Sequence, residues 1–171
     1  MKKRTALVGL LPLLCGSLLG SSALAADASP DAKALAVLKQ TGLLCYSAII
    51  TVNDKTDAAL GKQAEAIMLK TFSGLYLKAT QYDAADTCDR ELIYTFDVDA
   101  AGAPTIYTDD LKLHTYVATD GDTTLPSATI WSDGYWGGDA KVWSRATFTK
   151  KMTDHLVTMM SQFATDYRSL K

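Results

Sequence analysis

The chain has 171 residues, 48 % of them hydrophobic, with 17 Lys and Arg against 19 Asp and Glu and a formal net charge of −2 at pH 7. That length suits one domain with an ordinary core. The slight acidity argues against nucleic acid and anionic lipid as partners, because both need clustered basic side chains.

The first residues read as an export signal. Lys2, Lys3 and Arg4 form a basic head, Leu7 to Leu19 is apolar, and Ala23-Leu24-Ala25 is a small-x-small exit site. Residues 1–25 are therefore expected to be a cleaved signal peptide and residues 26–171 a single α+β domain, periplasmic or secreted, with no transmembrane segment in the mature chain. Cys15 lies inside the apolar stretch. Leu14 stands before it, where a bacterial lipidation site needs a small residue, so Cys15 is a passenger lost on cleavage. Of the three cysteines, Cys45 and Cys88 then remain. An even pair in an oxidising compartment predicts a disulfide, and closing a loop of that length gives about 4 kcal/mol in the chain-entropy picture.

Asp31 to Gln40 carries helix formers and precedes Gly42. In Leu43 to Val52, Leu44, Tyr46, Ala48, Ile50 and Val52 alternate onto one face, with Cys45, Ser47 and Thr51 on the other, which predicts a strand. Asn53 to Thr56 is a polar turn, and Thr56 or Asp57 can cap the next helix. Leu60, Ala64, Ile67, Met68 and Phe72 recur at helical spacing over Ala58 to Phe72, with Gly74 as the expected stop. Leu75 to Ala79 reads as a second strand, so the unit is a βαβ crossover. Tyr82 to Arg90 is a polar loop holding Cys88.

Strands follow at Leu92 to Val98, Leu111 to Val117 and Ala128 to Ser132. They are separated by turn signals at Ala100 to Pro104 and at Asp120-Gly121-Asp122, as in an antiparallel meander. Phe148, Met152, Leu156, Met159, Phe163, Tyr167 and Leu170 define a long C-terminal helix with one apolar face. The expected fold is α+β: a mixed sheet of about five strands with a βαβ unit and the C-terminal helix packed on the sheet.

Chemistry is sparsely signalled. His114 is expected on a strand, opposite Leu113, and His155 on the C-terminal helix. Neither sits in a recognisable catalytic motif, and HExxH, Walker and dinucleotide-binding patterns do not occur. Asp97, Asp99 and Gly102 resemble the start of a calcium loop, but Ala101 and Thr108 stand where further ligands belong. No metal or other cofactor is expected. The unusual stretch is Trp131-Ser132-Asp133-Gly134-Tyr135-Trp136-Gly137-Gly138-Asp139, with Trp143 close behind. Read as an aromatic-glycine loop, it suits a carbohydrate, an apolar ligand or a protein hot spot, or else it folds its rings over the core. Trp131, Asp133, Tyr135 and Trp136 are the candidate binding residues.

The order of elements, closing on the aromatic helix that ends Phe163-Ala164-Thr165-Asp166-Tyr167, resembles small exported bacterial envelope proteins. Examples are the TolB N-terminal domain and the lipoprotein activators of penicillin-binding proteins. The resemblance is one of layout and implies an accessory role in the cell envelope, although the lipidation site of the lipoproteins is missing here. The function expected on these grounds is non-enzymatic contact with an envelope protein or cell-wall component. Two other readings stand beside it. A small hydrolase or metal-dependent enzyme would gather acidic groups around His114 or His155. An apolar-ligand carrier would need a cavity between sheet and helix.

Overall fold

The computed structural model describes residues 30–83, 88–115 and 128–170. The export signal, Cys15 and the Asp120-Gly121-Asp122 turn lie outside the described residues. The chain enters through a short helix, α1 (Pro30–Ala34), which tightens into a 3-10 turn over Leu35–Lys39. Strand β1 (Leu44–Val52) follows, then β2 (Lys55–Thr56). Asn53 and Asp54 both adopt positive φ, at 50° and 61°. That is the mirror-image two-residue turn whose twist matches a hairpin, and Asn and Asp tolerate it better than most residues.

Helix α2 (Ala58–Leu75) starts at Asp57, whose Oδ1 accepts the Leu60 amide at 3.1 Å. It buries Leu60, Ala64, Met68 and Phe72 against β1 and the C-terminal helix. Gly74, expected as its stop, is inside the helix; the stop is Tyr76, in the left-handed region at φ 56°. The following strand is consequently shorter and later than its composition suggests: β3 spans Ala79–Gln81. β1, α2 and β3 still form a parallel βαβ unit. Strands β4 (Arg90–Asp99), β5 (Thr105–Thr115) and β6 (Ala128–Asp139) complete the sheet. Helix α3 (Arg145–Ser169) closes the described chain.

The six strands run in the order β2-β1-β4-β5-β6, with β3 sharing the outer edge of β1 with β2. β1 and β4 are parallel, whereas β4, β5 and β6 form antiparallel neighbours. The fold is thus the expected α+β layout, with a mixed sheet and a long C-terminal helix lying across it. Period-two alternation sorts the sheet. Tyr46 and Ile50 of β1, Leu92, Tyr94 and Phe96 of β4, and Tyr107, Leu111 and Leu113 of β5 are buried on the helix side. Phe148, Met152, Leu156, Met159 and Phe163 of α3 meet them, each fully buried large side chain stabilising the fold by about 1.5–3 kcal/mol. Phe163 stands edge-on to both Phe72 and Trp131. The opposite sheet face carries no helix among the described residues.

Cys45 and Cys88 form the expected disulfide, with Cα atoms 5.8 Å apart. It ties the start of β1 to the segment entering β4. At the same end, the buried guanidinium of Arg90 donates to the backbone carbonyls of Val37, Gln40 and Thr41 and anchors the 3-10 turn. Among the described residues no helix is long and apolar enough to cross a membrane.

Asp57 joins the two helix starts, because its Oδ2 also meets Arg145 Nη2 at 2.7 Å. The Leu60 amide, followed by the Arg145 guanidinium, holds its carboxyl below the usual carboxylate value despite partial burial. A depressed folded-state pKa stabilises the protein above the unfolded value of 3.8, and the gain is lost as pH falls through the folded value. Asp57→Ala is expected to cost about 1 kcal/mol at pH 7. Urea denaturation should show the gap to wild type shrinking as the medium is acidified. A gap independent of pH would contradict this account of the cap.

Candidate functional site

The segment expected as an aromatic-glycine loop is an edge strand. Residues 131–139 belong to β6, paired with β5 from Ala128↔Thr115 to Asp139↔Thr105. Glycine and aspartate disfavour strands in isolation, but a formed β5 offers a continuous ladder to pair with. Strand alternation then divides the four candidate residues between two faces. Trp131, Asp133 and Tyr135 turn toward the helices, and Trp136 turns to the open face.

Trp131 is buried, and its indole Nε1 donates to Asp166 Oδ2 at 3.1 Å. It joins α3 to the edge strand. Asp133 is half-buried, and its Oδ1 accepts the Gly134 amide at 2.8 Å. Tyr135 lies flat against His155, with ring centroids 4.2 Å apart. Burial, with help from Asp133 and then Asp109, pushes its phenol above the usual tyrosine value. Trp136 is 85 % exposed.

Beneath Tyr135 lies a pair that no sequence motif marks. Asp109 of β5 and His155 of α3 meet through Oδ2 and Nδ1 at 2.7 Å. The Asp109 side chain is fully buried, and His155 keeps 13 % of its side-chain surface exposed. The second carboxylate oxygen, Oδ1, is buried without a hydrogen-bond partner. Burial raises the Asp109 carboxyl, while the His155 contact and the nearby Tyr135 amide pull it the other way; the net direction is up. Tyr94 packs on the same pocket, its phenol pushed far up by burial and then by Asp109, and its hydroxyl donates to the Met152 carbonyl at 3.4 Å. Tyr107 stacks on Trp143 with centroids 5.1 Å apart, and Lys151 Nζ lies over the Tyr107 ring at 5.7 Å. With Asp109 ionised, Nδ1–H donates to it and Nε2 is left as the proton-accepting nitrogen, the arrangement of a general base. No serine or cysteine hydrogen-bonds His155 among the described residues.

His114, on the open face of β5 as expected, has Nδ1 3.4 Å from Thr129 Oγ1. The two histidines are thus on opposite faces of the sheet and form no common site. Among the described residues, no group of three His, Cys, Asp or Glu side chains is placed to hold a metal ion.

The open face around Trp136 is mixed, with exposed Ile106 across from Gly138 and Ile49 farther along the sheet among polar side chains. Register places Thr108 directly across from Trp136, then Asp97 of β4 and Thr51 of β1 in the same row. The next row runs from Gly134 to Asp110 and Thr95. A Cβ at Gly134 would stand 2.7 Å from Asp110 Oδ1 and 2.8 Å from the Asp109 carbonyl oxygen, so only glycine fits there. A hollow of about 560 Å³ beside it is lined by Thr108, Asp110, Ser132, Tyr135 and Trp136, among others. A separate hollow of about 450 Å³ lies between α2 and α3, walled by Ile67, Thr71, Val157 and Met160.

No protein-family model matches the chain, and neither a curated protein nor a solved structure matches it.

The buried pair had a sequence signal. Extending the Leu111, Leu113 alternation back by one step places Asp109 on the inward face, and His155 lies three residues after Met152 and four before Met159. A carboxylate and an imidazole on two facing apolar stripes point to each other. A raised folded-state pKa means that this carboxyl favours folding below the unfolded value of 3.8 and that its contribution falls as pH rises through the folded value. Carbon-detected NMR titration is expected to place the Asp109 carboxyl midpoint above 3.8. A midpoint at or below that value would contradict the buried placement.

Proposed function

We propose that this chain is an exported, non-enzymatic accessory protein of the bacterial cell envelope, periplasmic or secreted, that contacts an envelope protein or cell-wall component through the Trp136 face of β6. The observation that carries this reading is the 85 % exposure of Trp136 on a sheet face without helices among the described residues. An aromatic ring of this size held in water on a rigid strand provides contact area at little conformational cost. Asp133 and Tyr135 turn to the helix side of the same strand, and Trp131 fixes the strand from inside. The basic head and apolar stretch of residues 2–19 and the Cys45–Cys88 disulfide support the exported location.

A small hydrolase is the second reading, and the Asp109–His155 geometry favours it. It ranks below the first because Tyr135 stacks over the imidazole and the described residues bring it one carboxylate and no nucleophile. The apolar-carrier reading has less support, since among the described residues the sheet and helices meet through one cluster of buried apolar side chains.

The test is affinity capture from the native envelope fraction with mature wild-type protein and Trp136→Ala. The substitution is on the surface and is expected to leave the melting temperature within about 2 °C of wild type. At least one component retained by wild type should be lost or fall about tenfold with Trp136→Ala. Identical recovery from both would contradict the proposal.

A further inference from the structure

Resting on that contact surface, we infer that its ligand is a pyranose polysaccharide without negative charge, such as a neutral hexose or N-acetylhexosamine polymer. A protein-binding hot spot sets its aromatic anchor among neighbours that exclude water. Trp136 has one large apolar neighbour on its face, Ile106 across from Gly138, and is otherwise bordered by hydroxyls and carboxylates: Thr108 across the strand pair, Ser132 and Asp110 in the adjoining hollow, and Asp97 beyond Thr108. A sugar ring has the complementary pattern. One of its faces is a plate of C–H groups that lies on an indole, while its rim carries hydroxyls that donate to carboxylates and exchange hydrogen bonds with Ser and Thr.

The hollow above Gly134 adds depth beside the plate. It places Asp110, 40 % exposed and ion-paired to Lys112 at 3.2 Å, within the same recess as the indole. The row Trp136, Thr108, Asp97, Thr51 crosses four strands, about 14 Å at the usual strand spacing. It thus offers contacts to a linear chain rather than to one ring. Charge selects among glycans. On this face Asp97 and Asp110 outnumber Lys112, so sulfated and uronic-acid polymers are repelled and neutral or amino-bearing ones admitted.

The test is intrinsic tryptophan fluorescence and calorimetric titration of the mature protein with chitohexaose and cellohexaose, with polygalacturonate as the charged control. Pelleting with insoluble chitin and cellulose provides the polymer arm. Wild type should bind at least one neutral ligand and ignore polygalacturonate. Trp136→Ala should weaken binding about tenfold or more, Trp136→Phe should recover part of the loss, and Asp110→Ala should weaken binding several-fold with an unchanged melting temperature. Binding that is equal in wild type and Trp136→Ala, or stronger for polygalacturonate than for the neutral ligands, would overturn the inference. If wild type ignores every glycan but still captures an envelope protein through Trp136, this inference fails while the contact surface stands. If both fail, the surface itself is refuted.

Discussion

The contact between Asp109 and His155 is the constraint on which the antiparallel half of the molecule depends. A carboxylate inside an apolar layer costs several kcal/mol unless a partner meets it. Asp109 lies in the inward row between Tyr107 and Leu111, so the imidazole of α3 must reach it. That requirement fixes α3 along and around its own axis, with Met152 and Leu156 on the sheet. It also fixes the edge strand. Tyr135 is the register partner of Asp109 and lies over the imidazole. With Tyr135 held inward, strand alternation leaves Trp136 no direction but outward. The exposed indole is thus a consequence of a buried polar contact one residue away.

The opposite end of the sheet is held by different chemistry. There Cys45–Cys88 and the Arg90 guanidinium bind the entering 3-10 turn, β1 and β4 together. Between the two ends the sheet is ordinary: large apolar side chains facing two helices, tied at the helix starts by Asp57 and Arg145. The covalent bridge and the buried pair therefore serve separate parts of the structure. The first secures the parallel half, and the second secures the antiparallel half that carries the proposed contact surface.

Much of the scaffold was legible from the residues. The stripe from Phe148 to Leu170 and the alternation from Leu92 to Val98 are long, regular and apolar, so burial alone selects helix and strand. The disulfide was expected because Cys45 and Cys88 are the two cysteines outside the stretch read as an export signal. What escaped was set by partners distant in sequence. β6 contains Gly134, Gly137 and Gly138 and reads as a loop; its strand form comes from the ladder with β5, and the glycines fit because neighbours press on them. At Gly137 a Cβ would stand 3.0 Å from the Tyr107 hydroxyl. Gly74 looked like a helix stop, yet α2 ends on Tyr76, an unusual residue for that conformation. Of the four candidate binding residues, composition could not tell which would face inward. That division needed the register, and the register needs Asp109 and His155.

The central claim is tested most directly by a double-mutant cycle on the pair. Unfolding free energies of wild type, Asp109→Ala, His155→Ala and the double variant would be measured by urea denaturation at constant pH. The account predicts a coupling energy of about 1–3 kcal/mol, with the double variant much less destabilised than the sum of the singles. Additivity within about 0.5 kcal/mol would mean that the two side chains do not hold the helix to the edge of the sheet.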